Sequence, residues 1–177
     1  MRVPQTRYRI PTYFGDISNP QWHIVNLEDE IPLSRTNLLS LPVIADLNGQ
    51  WVLATSSFQS IIDAAGSGYT VVMSNSNYHV ARGVATMYVR FGDSYDGSLV
   101  FKIMNRAEGN YDYPTITLSN GSTLYNSKLN TSYFTNVPVT YTGELVMTVS
   151  FSKDYSGDTD LDRAFLAIPE GVEILIS

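Results

Sequence analysis

Hydrophobic and polar positions alternate along much of this chain with a period of two. The clearest cases are Val84–Phe91 and Glu144–Phe151. In the first, Ala85, Met87, Val89 and Phe91 share one face, and Thr86, Tyr88 and Arg90 share the other. In the second, Leu145, Met147, Val149 and Phe151 point one way. Such alternation is the mark of a strand with one buried face. Shorter runs predict further strands at 22–27, 41–45, 50–54, 69–74, 98–104, 113–118 and 172–176. The segment 98–104 follows a Gly/Asp loop and is expected to pair with 84–91. Asp46-Leu-Asn-Gly49 joins two of the runs, and Asn-Gly is a strong hairpin signal. Residues 119–136 read as loop, with Leu124, Tyr125, Tyr133 and Phe134 dipping into the body.

Helical periodicity is confined to one place. Ser57–Ala65 predicts about two turns, with Ser56 or Ser57 as cap and Gly66 as stop. One further helical turn is expected at 160–165. Eight or nine strands, one short helix near 57–65 and frequent turn signals predict an all-β fold. The expected architecture is an antiparallel β-sandwich, jelly-roll-like.

Composition agrees with that class. Ser, Thr and Asn make up 46 of the 177 residues, and Tyr 12, while Lys numbers 3. Strands and turns favour these residues, and helix surfaces favour Lys and Glu. Polarity from hydroxyls and amides rather than charge also suits contact surfaces. The net charge is −6, which argues against nucleic acid as partner, because phosphate affinity needs surplus Lys and Arg. With no cysteine, disulfides, thiolate metal sites and thiol catalysis are excluded. No apolar run reaches a membrane span, and the first residues lack the apolar core of a secretory signal. No cofactor is expected.

Charge is uneven along the chain. Residues 1–9 carry Arg2, Arg7 and Arg9 and no acid, so the remainder carries −9. Pro4, Pro11 and Pro20 disfavour helix across 1–20. This segment reads as an extended N-terminal arm before a single domain at 21–177. Its Arg2, Arg7, Arg9, Tyr8 and Tyr13 are candidate contacts to a neighbouring acidic copy.

Candidate chemistry is sparse. Phe91-Gly-Asp-Ser94 is similar to the nucleophile block of the GDSL esterase family, which implies Ser94 as nucleophile and a late Asp-x-x-His as base. Here the last histidine is His79, upstream of Ser94, so a loop held by Asp93 and Asp96 is the better reading. Asp158, Asp160 and Asp162 alternate as oxygen ligands for Ca²⁺ can, but the EF-hand pattern fails at Arg163 and Pro169. A solvated loop is the stronger expectation. Glu28-Asp-Glu30 reads as a solvated turn, and His23 and His79 as strand or edge residues. The triplets at Asn120 and Asn130 read as turn chemistry rather than glycosylation sites. Tyr95, Tyr111, Tyr113 and Tyr125 are candidate surface-binding residues, since Tyr offers rigid apolar area with a polar tip. Tyr88, Tyr133, Tyr141 and Tyr155 belong to the same loop and outward-facing set.

These features point to a non-enzymatic structural protein. The expected role is a capsid, head-decoration or tail-associated component of a phage-like virion. Such a component is assembled in host cytoplasm and forms homo-oligomers or joins companion proteins. The alternative is a carbohydrate-binding, lectin-like module.

Overall fold

The β-branched and aromatic alternation builds two packed sheets. The computed structural model describes residues 43–77, 79–92, 96–154 and 161–176, and the backbone of 8–12 and 21–25. The chain divides into two compact units, Met1–Leu38 and Leu39–Ser177. In the first, β1 (Tyr8–Thr12) pairs antiparallel with β2 (Gln21–Val25), from Tyr8 opposite Val25 to Thr12 opposite Gln21. The Trp22 strand expected from sequence is β2, and it belongs to the first unit.

The second unit is an all-β sandwich. One sheet is built from β3 (Val43–Asp46), β6 (Val84–Phe91), β8 (Tyr113–Leu118), β9 (Thr123–Asn126), β11 (Leu145–Ser152) and β13 (Val172–Leu175). Its six strands lie in the order β13-β3-β6-β11-β8-β9. The other is built from β4 (Trp51–Leu53), β5 (Tyr69–Ser74), β7 (Asp96–Arg106), β10 (Thr135–Thr142) and β12 (Arg163–Pro169). Its five strands lie in the order β10-β7-β12-β5-β4. Neighbours are antiparallel except β13 and β3, which run parallel.

The core forms where the alternating faces meet. Ala85, Met87, Val89 and Phe91 of β6 and Leu145, Met147, Val149 and Phe151 of β11 are all buried. Their register sets Leu145 opposite Phe91 and Phe151 opposite Ala85. Phe101, Ile103, Val137, Val139, Ala164, Leu166 and Ile168 join them from the five-stranded sheet.

A second apolar cluster lies on the outer face of the five-stranded sheet. After a 3₁₀ turn at Ser56–Phe58, α1 (Gln59–Ala65) buries Ile61 and Ala65. They pack with Val71, Met73, Met104, Phe165 and Ala167. Lys102 Nζ donates to Ala65 O at 2.6 Å and sits 4.0 Å from the centre of the Tyr69 ring. A cation there meets the unpaired carbonyls that end a helix. Gly66 ends α1 at φ 87°, as expected, but no side chain caps the start of α1 or of its 3₁₀ turn.

Several local expectations are corrected. Among the described residues the sandwich holds eleven strands, more than the eight or nine expected. Asn48-Gly49 is not a hairpin turn, because β3 and β4 belong to different sheets. Both residues do take positive φ, 53° and 62°, and Asp46 Oδ1 accepts from Asn48 N at 3.0 Å. The turn carries the chain across the sandwich. Likewise β7 pairs with β10 and β12 rather than with β6. The stretch expected as loop contains β9, and its last two residues begin β10. The helical turn expected at 160–165 gives way to β12 from Arg163 onward.

Candidate binding surface

A buried amide holds two loops at one end of the sandwich. Asn105, on β7, is fully buried. Its Nδ2 donates to Asp112 O at 3.0 Å and to Leu129 O at 3.4 Å. The first carbonyl belongs to the loop 107–112 between β7 and β8. The second belongs to the loop 127–134 between β9 and β10. Backbone bonds tie the same segments: Thr131 N to Asn105 O at 2.7 Å and Asn110 N to Lys128 O at 2.8 Å. Asn130 Nδ2 reaches Ala107 O at 2.9 Å, and Thr131 Oγ1 accepts from Asn105 N at 3.3 Å. Loops this heavily bonded lose little further entropy when a partner binds.

The loops carry large apolar side chains into solvent. Tyr111 is 54% exposed, Leu129 65% and Tyr133 66%. Scattered exposure of this kind is ordinary. Here three such residues stand on two loops that are bonded to each other.

Behind the loops sits a buried carboxylate. Asp112 is fully buried, and its N donates to Glu108 O at 3.1 Å. Its Oδ1 accepts from Asp154 N at 2.8 Å. Its Oδ2 is buried with no hydrogen-bond partner among the described residues. Burial pushes its pKa up from the usual carboxylate value, with added repulsion from Asp162 and Asp154; the Asp154 N–H and nearby Lys153 oppose the rise.

The sign of the pH effect follows. A raised folded-state pKa means that the folded chain binds the proton more tightly than the unfolded chain. Asp112 therefore supports folding most below its ordinary pKa, and that support is lost as pH rises through the folded value. Asp112→Asn keeps an acceptor for Asp154 N and places a neutral donor where Oδ2 stood. Thermal melts are expected to show the variant more stable at pH 7 by roughly 1 kcal/mol, the gain shrinking as pH falls towards 4. Equal gain at both pH values would contradict this role.

The other expected site residues are dispersed. Tyr113 is half-buried, with Lys128 Nζ 4.8 Å from its ring centre. Tyr125 is half-buried against the main core. Tyr8 and Arg9 lie on β1. Arg2, Arg7, Tyr13, Asp93, Ser94, Tyr95, Tyr155, Asp158 and Asp160 lie outside the described residues, as does the acidic turn at 28–30. Asp162 is buried near Asp112. His23 lies on β2, and His79 is exposed at φ 60°. Asn120 Oδ1 accepts from Ser122 N at 3.0 Å, which is the expected turn chemistry. Tyr141, expected in a loop or facing outward, is instead a core residue whose ring lies 4.3 Å from that of Phe91. Tyr133 does not dip into the body, whereas Phe134 does, against the α1 cluster.

Sequence reasoning did not find Leu129 or Asn105. Their only sequence signal is an apolar residue inside a polar loop and an amide at the end of a strand. Among the described residues, no group of three or more His, Asp or Glu is arranged to hold a metal ion. No described helix is long and apolar enough to cross a membrane.

No family model and no curated protein matches the chain. Among solved structures it is similar to the secreted serine protease VesC from Vibrio cholerae, at 13% identity and a TM-score of 0.43. That likeness covers 71% of this chain and 29% of the protease. It is also similar to an exo-β-1,3-galactanase from Phanerochaete chrysosporium, at 16% identity and a TM-score of 0.26, over 70% of this chain and 27% of that one. The chain thus spans less than a third of either protein, and neither likeness brings an activity to it.

Proposed function

We propose that this chain is a structural protein of a larger, virion-type assembly and works through protein–protein contacts, first of all with copies of itself. The observation that supports this reading is the pair of loops fixed by Asn105, with Tyr111, Leu129 and Tyr133 standing in solvent. Tyr is among the residues that carry most of the binding energy at protein interfaces, and Leu129 adds apolar area beside it. A stable interface buries about 800 Å² per partner, so these three are its anchors and neighbouring polar surface supplies the rim. The Ser/Thr/Asn-rich, Lys-poor composition suits such a rim, because pinning Lys costs side-chain entropy.

Two measurements on the full chain separate this reading from a lectin-like one. Sedimentation velocity at rising concentration is expected to show association to a defined oligomer, and a glycan array is expected to stay blank. A chain that remains monomeric at the highest soluble concentration and binds a glycan would overturn the assembly reading.

A further inference from the structure

Two of the chain's 12 asparagines precede glycine, in Asn48-Gly49 and Asn120-Gly121. Glycine has no Cβ, so it does not shield its own backbone nitrogen from the asparagine side chain before it. That nitrogen can attack the side-chain carbonyl carbon. The two pairs are equivalent in sequence and differ in the fold.

Asn120-Gly121 sits in the turn between β8 and β9, and both reacting groups are held. Gly121 N, the attacking atom, donates to Leu118 O at 2.9 Å. Asn120 Oδ1 accepts from Ser122 N at 3.0 Å, which anchors the side chain. Asn48-Gly49 sits in the crossover from β3 to β4, and both residues are exposed. Bonds hold this turn on either side. Asn48 N donates to Asp46 Oδ1 at 3.0 Å, and Leu47 O accepts from Gln50 N at 3.3 Å and Trp51 N at 3.1 Å. Between them, among the described residues, neither the Asn48 side chain nor Gly49 N makes a hydrogen bond.

We propose that Asn48 is a site of spontaneous modification, where the folded chain converts asparagine to aspartate and isoaspartate in water. Gly49 N gives its proton to hydroxide and forms a bond to Asn48 Cγ. The Cγ–Nδ2 bond breaks, and the amide group takes a proton from water and leaves as ammonia. The product is a cyclic succinimide, which water then opens. Opening between Cγ and nitrogen gives aspartate. Opening at the main-chain carbonyl carbon gives isoaspartate, with the chain running through the former side chain. Either product adds a negative charge to a chain already at −6. Aspartate tolerates the left-handed φ of 53° at this position as asparagine does, so that product keeps the turn. Isoaspartate lengthens the main chain by a methylene just before the buried Trp51. The site is separate from the Tyr111 surface and stands whether or not the chain assembles.

The test incubates the full chain in mildly alkaline buffer and follows both asparagine-glycine pairs by peptide mass spectrometry. A parallel sample is unfolded in guanidinium, where the two pairs should react at similar rates. In the folded chain Asn48 is expected to exchange ammonia for water at least about 10-fold faster than Asn120, whose two hydrogen bonds must open first. Isoaspartate at position 48 is read from the same peptide by labelling with an isoaspartyl methyltransferase. An Asn48 that stays intact in the folded chain while it reacts in the unfolded one would overturn the proposal. So would folded-state rates within twofold of each other, or a product at 48 that is wholly aspartate. The comparison needs no variant, so it does not depend on a substitution being tolerated.

Discussion

Phe165→Ala is expected to destabilise the chain by about 3–5 kcal/mol. Phe165 is fully buried in the middle of β12. It does not face the sandwich interior. It faces α1, where its ring meets Phe58 at 5.2 Å and joins Ile61, Ala65 and Met104. Removing it opens a cavity between sheet and helix that α1 cannot close without leaving Lys102, which holds the helix end at Ala65 O. A helix of seven residues has little stability of its own, so α1 is expected to undock first. Thermal melts of the variant should fall by roughly 10 °C, and amides of α1 should lose exchange protection ahead of those of β6 and β11. Tyr133→Ala, at an exposed position, should leave the midpoint nearly unchanged. A Phe165→Ala variant with wild-type stability would show that the α1 layer is not packed as described.

Asn105→Ala is expected to cost about 1–3 kcal/mol, because it strands the buried carbonyl of Asp112 and releases that of Leu129. The larger consequence is local. With the amide gone, the loops 107–112 and 127–134 keep their backbone bonds, the Asn130 contact to Ala107 O and the bonds accepted by Thr131 Oγ1 and Asp112 Oδ1, but lose the one side chain that reaches both loops. Exchange protection at Asn110 and Thr131 should drop well before global unfolding. Association between copies should weaken in the same variant, although Asn105 itself is buried and cannot touch a partner. Asn105→Asp should be worse still, since a carboxylate has no N–H to donate and enters surroundings that already hold Asp112. Protection at Asn110 and Thr131 unchanged in Asn105→Ala would rule out the amide as the brace of these loops.

The strands with one solvated face were legible in the sequence. β6 and β11 alternate cleanly; β6 spans the expected Val84–Phe91, and β11 lies one residue further along than the expected Glu144–Phe151. β12 was not legible, for a physical reason. Ala164, Leu166 and Ile168 enter the main core, and Phe165 and Ala167 enter the α1 cluster. A strand buried on both faces shows a continuous apolar run and no period of two. Asn48-Gly49 shows a different limit. The sequence specifies the positive φ values of the turn, but whether the two flanking strands pair depends on contacts far along the chain. β10 was hidden by Pro138, which a central strand would reject. Its place at the sheet edge tolerates it. For the surface, Tyr111 was readable as a loop aromatic. The brace behind it was not, because one Asn among 12 carries no mark of burial.

The central claim is that the surface braced by Asn105 joins copies of this chain. Its most direct test is sedimentation velocity of the full chain beside the triple variant Tyr111→Ser, Leu129→Ser, Tyr133→Ser. All three side chains are exposed, so the variant should keep its circular dichroism and its melting temperature. The expected result is a concentration-dependent oligomer for the parent chain and a monomer for the variant. A parent chain that sediments as a monomer throughout, or a variant that associates as the parent does, would contradict the account.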